Sequence, residues 1–77
     1  GNIQIYPNPT NNSFTINGIR GDNNSAQIQL FAINGRLEIQ AEVINNTEVS
    51  MENLSNGIYF LQVKSEAGIE MIKIVKQ

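Results

Sequence analysis

The stretch QIQLFAINGRLEIQAEV, residues 27–43, contains two runs in which apolar and polar residues alternate, separated by Asn34-Gly35. Asn-Gly is the strongest short hairpin signal, because a type I′ turn needs positive φ at both central residues. Alternation with a period of two is typical of strands with one buried face and one wet face. We therefore predict two antiparallel strands, Gln27–Ile33 and Arg36–Val43, in which the apolar residues from Leu37 onward share the buried face.

The same period of two extends along the rest of the chain, and clusters of Gly, Pro, Asn and Ser separate the runs. The predicted strands are Ile3–Tyr6, Phe14–Asn17, Gln27–Ile33, Arg36–Val43, Thr47–Met51, Ile58–Lys64 and Ile69–Val75. Seven short strands at close spacing indicate an all-β fold, a seven-stranded antiparallel β-sandwich of immunoglobulin-like architecture. The only weak helix candidate lies near Ser50–Ser55.

The chain has 77 residues, which is the size of one small domain, residues 1–77, and it has no cysteine and no histidine. Disulfides and ordinary zinc sites are therefore excluded, and stability must come from an apolar core. The net charge of −2 argues against a nucleic-acid partner, and no apolar run approaches the roughly 18 residues of a membrane span. Because the chain begins at Gly1 rather than at methionine, we expect it to be a piece of a longer protein.

Few residues of this chain could carry chemistry, since histidine and cysteine are absent and Asp22 is the only aspartate. Histidine-dependent triads and thiol nucleophiles need those missing residues. We predict no enzymatic activity, no catalytic residue, no metal and no cofactor. The loop Asp22–Ser25 has oxygen donors for calcium, but a good site has several carboxylates, and an asparagine-rich turn with left-handed conformations is favoured instead.

The segment Tyr6-Pro7-Asn8-Pro9 places two prolines around one asparagine. Each proline fixes φ near about −65° and biases the preceding residue to an extended conformation. We expect the chain to leave its strand at Tyr6, run stiffly, and enter the next strand at Phe14. A short, preset, exposed peptide suits recognition by another protein, and proline is equally a common way to end an edge strand.

Charge and hydrophobicity both change toward the C-terminus. Residues 64–77 carry three lysines against two glutamates, whereas residues 1–63 carry two arginines against five acidic residues. This pattern indicates either an ordinary solvated strand face or a basic contact site for a partner. The run Ile69–Val75 breaks the alternation, which predicts either a strand covered by an upstream domain or an apolar edge that awaits a partner strand.

Three segments match a known family in order and spacing. The first is Ile5-Tyr6-Pro7-Asn8-Pro9-Thr10-Asn11 with Phe14-Thr15-Ile16, the second is Ile28–Leu37 with its Asn-Gly-Arg turn, and the third is Leu54–Val63 with Lys73-Ile74-Val75-Lys76. Together they resemble the type A C-terminal sorting domain of the type IX secretion system. The chain departs from the family at Asn12-Ser13, where the family often has glycine in the turn.

The resemblance implies a C-terminal signal that directs a cargo protein of a Gram-negative bacterium across the outer membrane. The implied partners are the translocon, an outer-membrane shuttle protein and a sortase that usually removes the domain, together with the upstream cargo domain. The implied localisation is the periplasm in transit, and then the cell surface or the extracellular space. The domain itself is expected not to span the membrane, and weak self-pairing through an edge strand is a further expectation.

The resemblance also implies a candidate recognition motif within this sequence. Its residues are Tyr6, Pro7, Asn8, Pro9, Gly35, Arg36, Gly57, Tyr59, Lys73 and Lys76. Gly35 and Gly57 are expected to serve turns, and Tyr59 is expected to pack its ring inward with its hydroxyl bonded at a corner. The prolines and the two lysines are expected to be exposed, with a folding role and a contact role both open.

An alternative function is an immunoglobulin-like accessory module that docks on a neighbouring domain or binds a glycan. A glycan site needs an exposed aromatic platform. Phe31 and Phe60 lie opposite the best apolar alternations. The binding function is favoured if these two side chains cluster on one flat surface.

Overall fold

Two antiparallel sheets enclose one apolar core in the computed structural model, which describes residues 2–77. The strands are β1 (Gln4–Tyr6), β2 (Ser13–Asn17), β3 (Ser25–Ala32), β4 (Leu37–Ile44), β5 (Thr47–Ser50), β6 (Gly57–Ser65) and β7 (Gly68–Lys76). One sheet has the order β1-β2-β5 and the other has the order β4-β3-β6-β7. The prediction of an all-β fold with seven strands is confirmed, and every predicted strand lies within two residues of its expected bounds.

The turn between β3 and β4 differs from the predicted type I′ turn. The Gly35 N–H donates to the Ala32 carbonyl, and the Ala32 N–H donates to the Arg36 carbonyl, both at 2.8 Å. Gly35 has a φ of 90°, whereas Asn34 is not among the residues with positive φ. These features fit a three-residue loop in which one left-handed residue follows an ordinary turn. The hairpin prediction is confirmed, but the type I′ prediction was wrong.

An extra residue at the start of β4 changes which side chains face the core. Leu30 is paired with Ile39 and Phe31 with Leu37, so Glu38 has no opposing residue and forms a bulge. Because Phe31 and Leu37 are on the outer side of the sheet, Leu37 is 42% exposed. The prediction that Leu37 shares the buried face was therefore wrong, whereas Val43 is buried as expected.

The core lies between the two sheets and is filled by side chains that alternate along the strands. Its completely buried hydrophobic residues come from both sheets and from the loop after β5: Phe14, Ile16, Ile28, Leu30, Met51, Leu61 and Ile74. Burial of a side chain of this size contributes about 1.5–3 kcal/mol to folding. The inward-facing apolar residues therefore supply the stability that disulfides supply in other small domains.

Two irregular segments test the remaining local predictions. The asparagine-rich loop forms a short 3₁₀ turn over Asp22–Asn24, and Asn23 and Asn24 have φ values of 64° and 49°. The expected left-handed asparagines are thus confirmed. The weak helix candidate near Ser50–Ser55 was wrong, because this segment contains only a turn, closed by the Leu54 N–H and the Met51 carbonyl at 3.0 Å.

The broken alternation in the last strand has a direct structural reason. β7 is an edge strand that pairs only with β6 in its sheet. Its inward residue Ile74 is buried, whereas Ile69 and Met71 point outward and are 62% and 55% exposed. β7 therefore has apolar side chains on both faces. Within residues 2–77, its outward side chains Ile69 and Met71 are left exposed to solvent.

Leu61→Ala is expected to destabilise the domain by about 2–5 kcal/mol, because it removes a completely buried side chain from the core. The matched control is Leu37→Ala, the same substitution at an exposed position, with an expected loss below about 1 kcal/mol. Urea denaturation followed by circular dichroism measures both. Equal losses would show that the bulge does not turn Leu37 out of the core in solution.

Candidate functional site

Asn8 hydrogen-bonds to the free edge of β7 through its side chain. Its Nδ2 donates to the Lys73 carbonyl oxygen at 2.8 Å, and the Val75 N–H donates to its Oδ1 at 3.1 Å. A side-chain amide has one acceptor and two donors, so it can replace a peptide group along a strand edge. Pro7 and Pro9 have no N–H to donate, and the amide of Asn8 supplies the hydrogen bonds that a neighbouring strand would supply.

Thr10 continues this edge contact with its backbone. The Thr10 N–H donates to the Val75 carbonyl, and the Gln77 N–H donates to the Thr10 carbonyl, both at 2.8 Å. Thr10 is 1% exposed, and its hydroxyl donates to the Ser13 carbonyl. We call Pro7–Thr10 together with Lys73–Gln77 the clasp, because the start of the chain covers the second half of the last strand.

The other residues of the N-terminal motif are accessible. Pro7, Asn8 and Pro9 are exposed, as predicted, and both X–Pro peptide bonds are cis. Tyr6 ends β1 and is 45% exposed. The segment therefore presents one aromatic ring and two proline rings to solvent while its asparagine is held by β7.

The two lysines of the C-terminal motif have different surroundings. Lys73 is exposed on β7, as predicted. Lys76 is 8% exposed, and its Nζ donates to the Leu54 carbonyl at 2.6 Å. The prediction that Lys76 is exposed was wrong, because the residue lies on the inward side of β7, where its ammonium group satisfies a loop carbonyl.

The loop before β6 is held by the residues of the third motif. The Tyr59 ring is buried, and its hydroxyl donates to the Ser55 carbonyl at 2.5 Å, which confirms the predicted corner. Gly57 has a φ of 151°, in the region that favours glycine. Gly57 is also the register partner of Lys76, so the loop and the clasp are adjacent.

The strand register brings the predicted recognition motif to one end of the sandwich. Ala32, at the base of the Gly35 turn, pairs with Tyr59, and Tyr59 pairs with Ile74 of β7. The Gly35-Arg36 turn, the Gly57 loop and the clasp therefore all lie at the same end, which we call the motif end. Arg36 is 74% exposed there, and its Nε is 3.2 Å from Glu38 Oε1.

Two members of this site were missed by sequence reasoning. Thr10 and Leu54 contribute backbone groups that bind β7 and Lys76, respectively. Leu54 begins the third family segment, but any residue type has a backbone carbonyl, so the sequence had no signal for its contact with Lys76. The signal for Thr10 was weak, namely a β-branched residue directly after proline in a polar turn.

The described residues show little that could hold a metal or a substrate. Within residues 2–77, no three His, Cys, Asp or Glu side chains lie close enough together to hold a metal ion. In the loop considered for calcium, the Asp22 N–H donates to a carboxylate oxygen of Glu66 at 3.0 Å. A depression of about 520 Å³ lies far from the motif end, lined by Asn2–Gln4 and Asn17–Arg20. No helix in residues 2–77 has the length and apolarity needed to cross a membrane.

Comparison with known families identifies the class to which this fold and motif belong. A family model of the secretion system C-terminal sorting domain matches residues 4–77. The chain therefore belongs to this family, the C-terminal sorting domains of type IX secretion. The family consists of sorting signals rather than enzymes, and membership implies export to the cell surface or the extracellular space. A search of curated proteins returned no match to this chain.

Asn8→Ala is expected to lower the free energy of unfolding by about 1 kcal/mol, because it removes two hydrogen bonds at an exposed edge. Faster amide exchange at Val75 should accompany the loss. The matched control, Asn11→Ala, alters an exposed asparagine of the same loop and should change neither quantity. Denaturant titration and hydrogen exchange measure the two effects, and identical behaviour of both variants would contradict the clasp.

Lys76→Glu is expected to destabilise the domain by about 2–3 kcal/mol, because a carboxylate would be buried against the Leu54 carbonyl in place of a charged donor. Lys73→Glu, the same substitution at an exposed position of the same strand, should change stability by less than about 0.5 kcal/mol. Thermal unfolding of the two variants measures the difference. A Lys76→Glu variant as stable as Lys73→Glu would disprove the structural role of Lys76.

Proposed function

We propose that this chain is recognised, as a folded domain, by the translocon, the outer-membrane shuttle protein and the sortase of type IX secretion. It forms a single C-terminal domain, residues 1–77, of a larger secreted protein, and its upstream neighbour is the cargo. The cargo passes through the periplasm and then the outer membrane, after which the sortase removes the domain. Membership in the sorting-domain family supports this function.

The observation that carries the proposal is the convergence of three distant segments on the motif end. Asn8 and Thr10 hold Lys73–Gln77, and Lys76 in turn holds the loop that contains Leu54 and leads into Tyr59. The arrangement exists only when the first and last segments of the domain have both folded. A partner that contacts this end therefore binds a completed domain, and a preset surface loses little conformational entropy on binding.

The residues of the motif divide into two groups. Tyr6, Pro7, Pro9, Arg36 and Lys73 are accessible and form the contact surface for the export machinery. The other five hold the surface in shape by turns, hydrogen bonds and burial: Asn8, Gly35, Gly57, Tyr59 and Lys76. The domain acts as a protein ligand without catalysis, which fits a family of sorting signals.

The architecture we propose is immunoglobulin-like. β1 pairs with β2 in the three-stranded sheet, and the chain then crosses at the prolines so that Thr10 forms a parallel bridge with Lys76 of the other sheet. The N-terminal segment therefore contacts both sheets, through β1 and through Thr10, and joins them along one edge of the sandwich. The sheet orders of three and four strands are consistent with this proposal.

A second candidate function is an accessory module that binds a glycan or a neighbouring domain. The observation that favours it is the direct pairing of Phe31 with Phe60 on the outer side of the four-stranded sheet. Phe60 is 36% exposed, and Phe31 is partly buried beside it. The pair meets the condition of a clustered aromatic surface, although much of its area is already covered.

Fusion of residues 1–77 to a neutral secreted reporter tests the sorting function in a bacterium that has type IX secretion. The fusion should appear at the cell surface or in the medium, and deletion of Met71–Gln77 should abolish this delivery. Lys73→Glu is the folded companion variant, with an expected loss of delivery at nearly unchanged thermal stability. Protease accessibility of the reporter on intact cells measures delivery, and a wild-type fusion that stays in the periplasm would refute the proposal.

A further inference from the structure

The outward faces of the two sheets differ in chemical character. The three-stranded sheet has one exposed aromatic residue, Tyr6, on its outward side, and otherwise polar residues along β2 and β5: Ser13, Thr15, Asn17, Glu48 and Ser50. The strands of the four-stranded sheet expose large apolar side chains on their outward side: Leu37, Ile44, Phe60, Ile69 and Met71. Single exposed apolar residues are ordinary on protein surfaces, but several on one face of one sheet mark an interaction surface.

One cross-strand row of this face joins the apolar residues to the motif end. Leu37 pairs with Phe31, Phe31 pairs with Phe60, and Phe60 pairs with Lys73. Residues directly opposite in neighbouring strands have Cβ atoms about 4.5–5.5 Å apart. The row therefore runs without a gap across all four strands and ends at a lysine that also belongs to the clasp.

The adjacent row consists of amides. Gln40 pairs with Gln29, Gln29 pairs with Gln62, and Gln62 pairs with Met71. A shallow depression of about 250 Å³ lies over this row. Within residues 2–77 the three amide side chains make no hydrogen bond to another residue. They offer donors and acceptors on a surface whose neighbouring row is apolar.

The charge of this face is opposite in sign to that of the whole chain. Lys64 and Lys73 are exposed on its outward side, against Glu42, while the chain carries a net charge of −2. Two exposed lysines beside apolar and amide rows are complementary to a protein surface with apolar residues and acidic side chains.

We infer that the outer face of the four-stranded sheet is a docking surface for an acidic, partly apolar face of a folded protein of the export route. The inference rests on the proposed sorting function and names a second contact area, continuous with the motif end through Lys73. Four strands at about 4.8 Å spacing and eight residues at about 3.4 Å rise present on the order of 500 Å². That area is below the roughly 800 Å² that each partner of a stable complex contributes, so the contact is transient.

The test uses the reporter fusion with one charge placed on either face. Phe60→Glu puts a negative charge in the centre of the proposed surface, and Gln62→Glu does so with almost no change in shape. Gln4→Glu puts the same charge, with the same small change in shape, on the outward face of the other sheet, at an exposed position far from the motif end. Both outer-face variants should lower surface delivery at least tenfold, whereas Gln4→Glu should leave it unchanged. The unfolding temperatures of the purified Gln62→Glu and Gln4→Glu domains should lie within a few degrees of wild type.

The outcomes separate this inference from the sorting function. If the wild-type fusion is delivered and Gln62→Glu is delivered equally well, the docking surface is disproved and the sorting function stands. If the wild-type fusion is not delivered, the sorting function itself fails. Equal losses in Gln62→Glu and Gln4→Glu would also overturn the docking surface, since they would show a general sensitivity to added charge.

A photoreactive residue at position 60 of the fusion identifies the occupant in intact cells. The expected product is a cross-link to a protein other than the fusion, which disappears when Lys73→Glu is added and is absent when the photoreactive residue is at position 4. Cross-links only to polysaccharide would show that the surface binds a glycan rather than a protein, and they would overturn the inference. Cross-links only between two copies of the fusion would overturn it in favour of self-association.

Discussion

The hydrogen bonds between Asn8, Thr10 and the last strand are the contact on which the rest of this structure depends. A sandwich with open sheets has four edges, and an uncovered edge strand pairs readily with other chains. Here the chain start covers the second half of β7, and the same contact joins the three-stranded sheet to the four-stranded sheet. Without disulfides, this closure and the apolar core are what hold the two sheets together.

The clasp also explains why the family motifs lie so far apart in the sequence. Residues near position 8 and residues near position 75 are a single structural unit, and Lys76 extends that unit to the loop at Leu54. A signal distributed in this way is present only in the folded domain. On the function we propose, an export machinery that contacts this end can distinguish a completed C-terminal domain from an unfolded segment with the same sequence, because an unfolded chain does not hold these three segments together.

Much of the fold follows from local patterns. The period of two placed all seven strands, Gly35 marked the central hairpin, and the aromatic side chain of Tyr59 indicated an inward ring with a bonded hydroxyl. Two of the failures have a common cause. Leu37 is exposed because a bulge at Glu38 shifts the register, and Lys76 is buried because it lies on the inward side of β7 beside the Leu54 carbonyl. Both facts depend on how a strand pairs with or packs against another segment, which alternation within one strand does not specify.

The sequence by itself determined the all-β class, the positions of the strands and the family to which the chain belongs, since alternation and turn residues act over a few neighbouring positions. Only the tertiary structure decided how these strands close. It placed the Asn8 side chain on the backbone of β7, separated Lys73 from Lys76, and aligned Leu37, Phe31 and Phe60 in one row of the outer face. Hydrogen bonds between distant segments and the register of paired strands are set by the packing of the whole chain, which no short window of sequence specifies.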